Sequence, residues 1–181
     1  MPVKDGIVGP IPEGRDPDEY DRLRRRVLWT MPSGLYVIGA RDGERRNAMT
    51  ANLVTQVSTD PKWLGVAVET DALTHQLIDA GGAFALNLID REDRAIIRKF
   101  TKPVEADLGA MTLNGFAFHD APGTGAPVLD QAVAFVDCEV RERVATPSHT
   151  FFLAEVVDAG FQKDEDTPVL RMEDTRMNYG G

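Results

Sequence analysis

Gly34-Leu35-Tyr36-Val37-Ile38-Gly39-Ala40-Arg41 is followed by Asp42-Gly43 and then by Asn47-Ala48-Met49-Thr50-Ala51-Asn52-Leu53-Val54-Thr55-Gln56-Val57-Ser58. The first run is apolar over the length of a strand, Asp-Gly is a hairpin turn signal, and the second run is rich in Thr and Val. The spacing therefore predicts a β-hairpin over residues 35–41 and 47–58. Asp60-Pro61 breaks the second strand. Trp63-Leu64-Gly65-Val66-Ala67-Val68 forms a third, in which Gly65 marks a bulge or a close approach to the backbone.

Downstream, Leu73, Leu77 and Ile78 stand at helical spacing within residues 71–80, and Gly81-Gly82 is a C-terminal stop. Residues 83–89 form a fourth strand with Phe84, Leu86 and Leu88 on one face and Asn87 on the other. Residues 91–100 place Ala95, Ile96 and Phe100 together and predict a second short helix. A looser stretch, 108–127, precedes two long strands, 132–144 and 150–161, joined by Ala145-Thr146-Pro147-Ser148. This order has single inserted helices and no βαβ alternation. Six strands in an open sheet would expose long apolar edges, so a mostly β chain closed into an antiparallel barrel is the economical architecture.

Upstream, residues 1–15 hold three glycines and three prolines among few large apolar groups and predict an arm; residues 16–181 then make one domain. Asp16-Pro17-Asp18-Glu19 opens a helix that carries Tyr20, Leu23, Val27 and Leu28 as an apolar stripe and ends before Pro32. Arg22, Arg24, Arg25 and Arg26 lie mostly off that stripe and predict a solvated face.

Across 181 residues, 43% are apolar and 27% charged, the balance of an ordinary globular domain. Twenty Lys and Arg against 29 Asp and Glu leave a formal net charge of -9, a field that repels polyphosphate and argues against a nucleic-acid partner. Residues 27–40 are the longest stretch free of charged side chains, short of the roughly 20 residues a spanning helix needs and interrupted by Pro32. With no basic and apolar blocks in residues 1–6 and one cysteine, a reducing cytoplasmic setting is expected. Cys138 alternates with Val136 and Val140 and reads as a small core residue.

Phosphate-loop, dinucleotide-fold, nucleophile-elbow and zinc motifs are all missing from the sequence. Of three histidines, His75 lies off the apolar stripe of its helix and reads as exposed, and His119 sits in loop-like sequence. His149, in Ser148-His149-Thr150 at the entrance of a strand, is either aimed at a pocket mouth or a satisfied structural side chain. Small and hydrogen-bonding residues from Asn47 to Ser58 suit a flat polar ligand against the backbone or, equally, the wet face of an edge strand. Thr70-Asp71-Ala72-Leu73-Thr74 opens a helix and offers amides and hydroxyls to a phosphate, although a capping Asp71 would compete for them. Arg98, Lys99 and Lys102 supply compensating charge or simply a solvated face.

Taken in order, Thr30-Met31-Pro32-Ser33-Gly34-Leu35, Asn47-Ala48-Met49-Thr50-Ala51-Asn52, Gln56-Val57-Ser58 before Asp60-Pro61, Ala83-Phe84-Ala85-Leu86-Asn87-Leu88, Arg98-Lys99-Phe100 and Ser148-His149-Thr150-Phe151-Phe152-Leu153-Ala154-Glu155-Val156 resemble the flavin reductase-like proteins of the FMN-binding split-barrel fold. The resemblance spans roughly residues 27–179. It implies an antiparallel, Greek-key-like split β-barrel that forms a homodimer and binds FMN, with FAD as the variant. NADH or NADPH serves as hydride donor, and the reduced flavin passes to an acceptor such as a monooxygenase. It also implies that Asn47, Ala48, Met49, Thr50, Ala51, Asn52, Gln56, Val57 and Ser58 line the isoalloxazine, mainly through backbone groups. Thr70, Thr74, Arg98, Lys99 and Phe100 would hold the phosphate end, His149 would face the nicotinamide, and Tyr179 would lie near the pocket. Such chemistry belongs to the flavin ring, so it calls for positioning and electrostatics and for neither a nucleophile nor a metal. The same motifs occur in a flavoredoxin-like branch, an FMN-binding electron carrier without nicotinamide turnover.

Overall fold

The computed structural model describes residues 9–177. These fall into two compact units, one formed by residues 9–32 with 176–177 and the other by Ser33–Thr175. In the first, α1 (Pro17–Leu28) begins where Asp16 accepts a hydrogen bond from the Glu19 amide at 2.9 Å, with Pro17 supplying the pre-set first turn. Asp21 pairs with Arg24 at 2.6 Å and Arg25 at 3.1 Å, so part of the arginine face is tied down within the helix. Leu23, Val27 and Leu28 stay exposed.

The second unit is built on a seven-stranded antiparallel sheet. Its strands are β1 (Tyr36–Asp42), β2 (Arg45–Ala51), β3 (Val54–Thr59), β4 (Lys62–Glu69), β5 (Ala83–Leu88), β10 (Ala134–Ala145) and β11 (His149–Phe161), in the order β2-β1-β5-β10-β11-β4-β3. Residues 47–58, expected as one strand, are therefore two. The reason is topological: β2 and β3 are the opposite edges of the sheet, and the chain turns a corner at Asn52-Leu53 to pass between them. Laid flat, seven strands would hold those edges about 29 Å apart, whereas the Ala51-to-Val54 connection reaches at most about 11 Å. The sheet must curl until its edges meet at that corner. Since β2 and β3 are not ladder neighbours, the barrel is split there.

Inside the curl, Ile38, Ala40, Val66, Val68, Phe84, Leu86, Cys138, Phe152 and Ala154 pack with Leu77 and Ile78 of α2 (Leu73–Gly81). Each large side chain buried in this way contributes about 1.5–3 kcal/mol. At the end of α2, Gly82 takes φ 70° and its amide closes on the Ile78 carbonyl at 2.8 Å. Cys138 is buried there as expected, and burial, reinforced by Asp137, pushes its thiol up to about 12.

The stretch expected to be loose holds a small sheet, β6 (Ala106–Asp107), β7 (Thr112–Leu113), β8 (Phe116–Asp120) and β9 (Pro127–Leu129), whose strands are too short to display an alternating pattern. It is knitted to the main sheet by the fully buried Asn87. That amide donates to the Val37 carbonyl at 3.1 Å and the Pro127 carbonyl at 3.3 Å, and accepts from the Leu129 amide at 2.7 Å. The helix expected over 91–100 is instead two 3₁₀ turns, Arg91–Asp93 and Ile96–Phe100. Asp90 caps the first through the Glu92 amide, and the Ile97 carbonyl is taken by the Thr50 hydroxyl, while Ile96, Ile97 and Phe100 still bury.

Candidate functional site

The polar side chains of β2 do not face open space. Asn47, 2% exposed, donates from Nδ2 to Thr74 Oγ1 at 2.7 Å and accepts at Oδ1 from the Val104 amide at 3.0 Å. Thr50 donates to the Ile97 carbonyl at 2.7 Å. Between and beyond them Ala48 and Ala51 are buried, Met49 packs on the core and Asn52 is half-buried at the corner. The strand thus holds both α2 and residues 97–104 through its side chains.

That second segment carries Arg98 and Lys99 on its exposed side and Phe100, fully buried against Phe116 with ring centroids 5.6 Å apart. Asn114 adds a further tie, donating to the Lys99 carbonyl at 2.7 Å. Among the described residues, Arg98, Lys99 and Lys102 enter none of the ion pairs. In a chain of net charge -9 they form an uncommitted cationic group.

The first turn of α2 is held from both sides. Thr74, 1% exposed, meets Asn47, and His75 Nε2 lies 2.7 Å from Thr150 Oγ1 with its ring tilted on Phe152 at 5.2 Å. His75, expected to be exposed, is half-buried, because Thr150 and Phe152 at the start of β11 face the helix. Its role was hidden in the sequence because its partners lie 75 residues away. The helix cap is Ala72, with no side-chain bond, so Asp71 does not occupy the first-turn amides as a capping carboxylate would. Thr70, exposed, donates its amide to the Ser148 carbonyl at 3.1 Å and so joins this end of the helix to the turn before β11.

His149 stands on that turn, half-buried, in register with Glu69 of β4. Its backbone amide donates to Thr146 Oγ1 at 3.1 Å, and its Nδ1 lies 2.8 Å from Ser148 Oγ. Side-chain bonds therefore join Asn47 to Thr74 and Val104, and Thr50 to Ile97, on either side of the Arg98-Lys99-Phe100 segment, while Thr70 is bonded separately to Ser148, next to His149. Gln56, Val57 and Ser58 lie apart on β3, where Val57 is the residue bulged out between Gln56 and Ser58 and Gln56 donates to the Ser58 carbonyl at 2.9 Å. Tyr179 lies outside the described residues.

The donor set suits a phosphate monoester. Helix-end amides free of a side-chain cap, a nearby hydroxyl and two unpaired cations are the groups that bind such anions. On the outer face of the barrel, alternation places Gly65, Ala67, Phe151 and Leu153 opposite the core residues Val66, Phe152 and Ala154. The Phe151 ring lies over Gly65, where a Cβ would meet it at 2.2 Å, and Val144, its cross-strand partner, is 47% exposed.

A family model described as the flavin reductase like domain matches residues 28–180. The high molecular weight rubredoxin of Moorella thermoacetica is 30% identical over 136 residues, which cover 74% of this chain and 58% of that protein. The chain thus spans little more than half the length of that relative. The NADH-dependent FAD reductase of Streptomyces globisporus is 31% identical over 153 residues, 84% of this chain and 82% of the relative. The solved structure of the Streptomyces globisporus C-1027 NADH:FAD oxidoreductase SgcE6 in complex with NAD and FAD fragments superposes with a TM-score of 0.68 at 29% identity, covering 83% of this chain and 87% of that one. No helix among the described residues is long and apolar enough to cross a membrane.

Proposed function

Because the chain belongs to the flavin reductase-like family of split-barrel proteins, we propose that it is an NAD(P)H-dependent flavin reductase that supplies reduced flavin to an acceptor, a flavin-dependent monooxygenase being the class the resemblance implies. The observation that carries this reading is that Asn47 and Thr50 of β2 bond both α2, whose end has no side-chain cap, and the segment that bears the free cations Arg98 and Lys99.

When bound, the flavin supplies the redox chemistry, a hydride passing from reduced nicotinamide to its N5. Everything else falls to the protein. Arg98, Lys99, Thr70 and the first-turn amides of α2 hold the phosphate, which FMN and FAD share. Backbone groups of residues 47–52 line the ring, with Gln56, Val57 and Ser58 of β3 across the split as its other wall. His149 orients the nicotinamide and is not an obligatory proton donor, since hydride transfer requires alignment rather than an acid-base pair. Loss of both nicotinamide affinity and flavin-reduction rate in His149→Ala is expected; no change in either would remove His149 from the site. The exposed Val144 on the outer face beside Phe151 suits a homodimer, and Val144→Lys should then shift sedimentation toward the monomer.

The deciding experiment is an anaerobic absorbance spectrum with one equivalent of FMN, recorded before and after NADH and then NADPH. Bleaching of the visible flavin bands by either nucleotide is the expected result. A perturbed but unbleached spectrum would favour the flavoredoxin-like carrier, the alternative that the same motifs leave open. No perturbation at all would overturn flavin binding.

A further inference from the structure

We propose that Asn47 is a positioning residue whose side chain, through Thr74, sets the distance between the α2 end and the Arg98-Lys99 segment and thereby the affinity for the flavin's phosphate, while leaving affinity for the ring unaffected. The inference rests on the flavin-reductase assignment and deepens it.

Neither segment is fixed by sheet hydrogen bonding. Residues 97–104 form a 3₁₀ turn and a loop, and α2 enters after an extended residue with no side-chain cap. What fixes them to each other is one buried amide. Asn47 Nδ2 reaches Thr74 in the second position of α2, and its Oδ1 reaches the Val104 amide, five residues beyond Lys99. Thr50, three residues along β2, holds the other end of the same loop at Ile97. The loop is therefore clasped on both sides of Arg98 and Lys99, and only the Asn47 clasp also touches the helix. Both Asn47 and Thr74 are buried with their side-chain polar atoms turned toward protein partners, which assigns them to holding the seat and not to contacting the ligand.

An Asn amide is suited to this task because it donates and accepts at once from one planar group. Val at position 74 removes the acceptor with little change of volume and leaves Nδ2 without a partner, so the loop and the helix end lose their common reference. Ser at position 74 keeps the hydroxyl. A phosphate bound by several convergent donors is sensitive to such a displacement, whereas a ring held mainly by strand backbone is not.

The test compares binding of FMN with that of riboflavin, which has the same ring and no phosphate, measured by fluorescence titration of the whole chain and of Asn47→Ala, Thr74→Val and Thr74→Ser. In Asn47→Ala and Thr74→Val, FMN affinity is expected to fall about tenfold or more; in Thr74→Val, at a residue outside the ring-lining strand, riboflavin affinity stays within about twofold, and Thr74→Ser should restore the wild-type ratio. Retained riboflavin binding also certifies the fold, and Thr74→Val supplies that check if Asn47→Ala leaves too large a hole. Equal losses for both ligands, or no loss for either, would overturn the positioning role alone. A wild-type protein that binds FMN no tighter than riboflavin would overturn the phosphate seat itself.

Discussion

His75 on α2 and Thr150 on β11 meet with Nε2 and Oγ1 2.7 Å apart, while the His75 ring rests on Phe152. The contact ties the first turn of the helix to the strand entrance that bears His149. It is half-buried, so breaking it exposes a polar group only partly to water. Thr150→Val and His75→Ala are each expected to cost about 1–2 kcal/mol, read as a lower urea midpoint at constant slope. Unchanged midpoints in both variants would show the contact to be energetically idle.

Gly39 lies under the backbone of β9. A Cβ built there would come within 2.1 Å of the Pro127 carbonyl oxygen, and Gly81 faces the Arg41 carbonyl in the same way at 1.9 Å. Backbone cannot step aside as a side chain can, so Gly39→Ala must push β9 off the sheet and break the Asn87 bonds to Pro127 and Leu129. A loss of about 2–4 kcal/mol is expected, visible as a fall in the thermal midpoint. A variant as stable as wild type would mean that β9 can move freely.

The main hairpin, the α2 stop and both long strands were legible in the sequence because alternation, Asp42-Gly43 and Gly81-Gly82 are local signals that act within a few residues. The corner at Asn52-Leu53 was not. Residues 47–58 keep a strand composition throughout, and only the closure of the sheet, a property of all seven strands, forces the break. The same limit governs the site. Asn47, Thr50 and Thr74 stood out as polar residues where apolar ones were possible, yet which way each side chain points depends on partners 27 to 57 positions away. His75 was misread for that reason, since the Thr150 that receives it belongs to another element.

Asp90 accepts from the Lys163 ammonium at 2.8 Å and from the Glu92 amide at 3.0 Å, and these bonds, the lysine first, hold its carboxyl below the usual 3.8. A carboxyl depressed in the folded state contributes stability above its unfolded pKa and loses that contribution as pH falls through the folded one. The window is therefore below about pH 4. Asp90→Asn should be less stable than wild type at neutral pH, and the difference should shrink on acidification below that point. Raising the salt should narrow the difference as well, because the pair lies near the surface. A difference that is flat from pH 2 to 6 would show that the lost carboxylate charge is not what matters.

Cys138 is the one thiol of the chain, fully buried between Phe84 on β5 and Val156 on β11, and desolvation, with Asp137 beside it, holds its pKa near 12. Thiolate is the reactive form, so at neutral pH both access and ionisation are denied. A disulfide-exchange reagent such as dithionitrobenzoate should leave the native protein unlabelled and react fully in denaturant. Labelling in native buffer would then report transient opening of the barrel interior, and its rate should fall when FMN is added, because a ligand bound only to the folded state suppresses global opening. Rapid labelling of the native protein that is indifferent to flavin would place Cys138 at an accessible surface and contradict the packing of β10 described above.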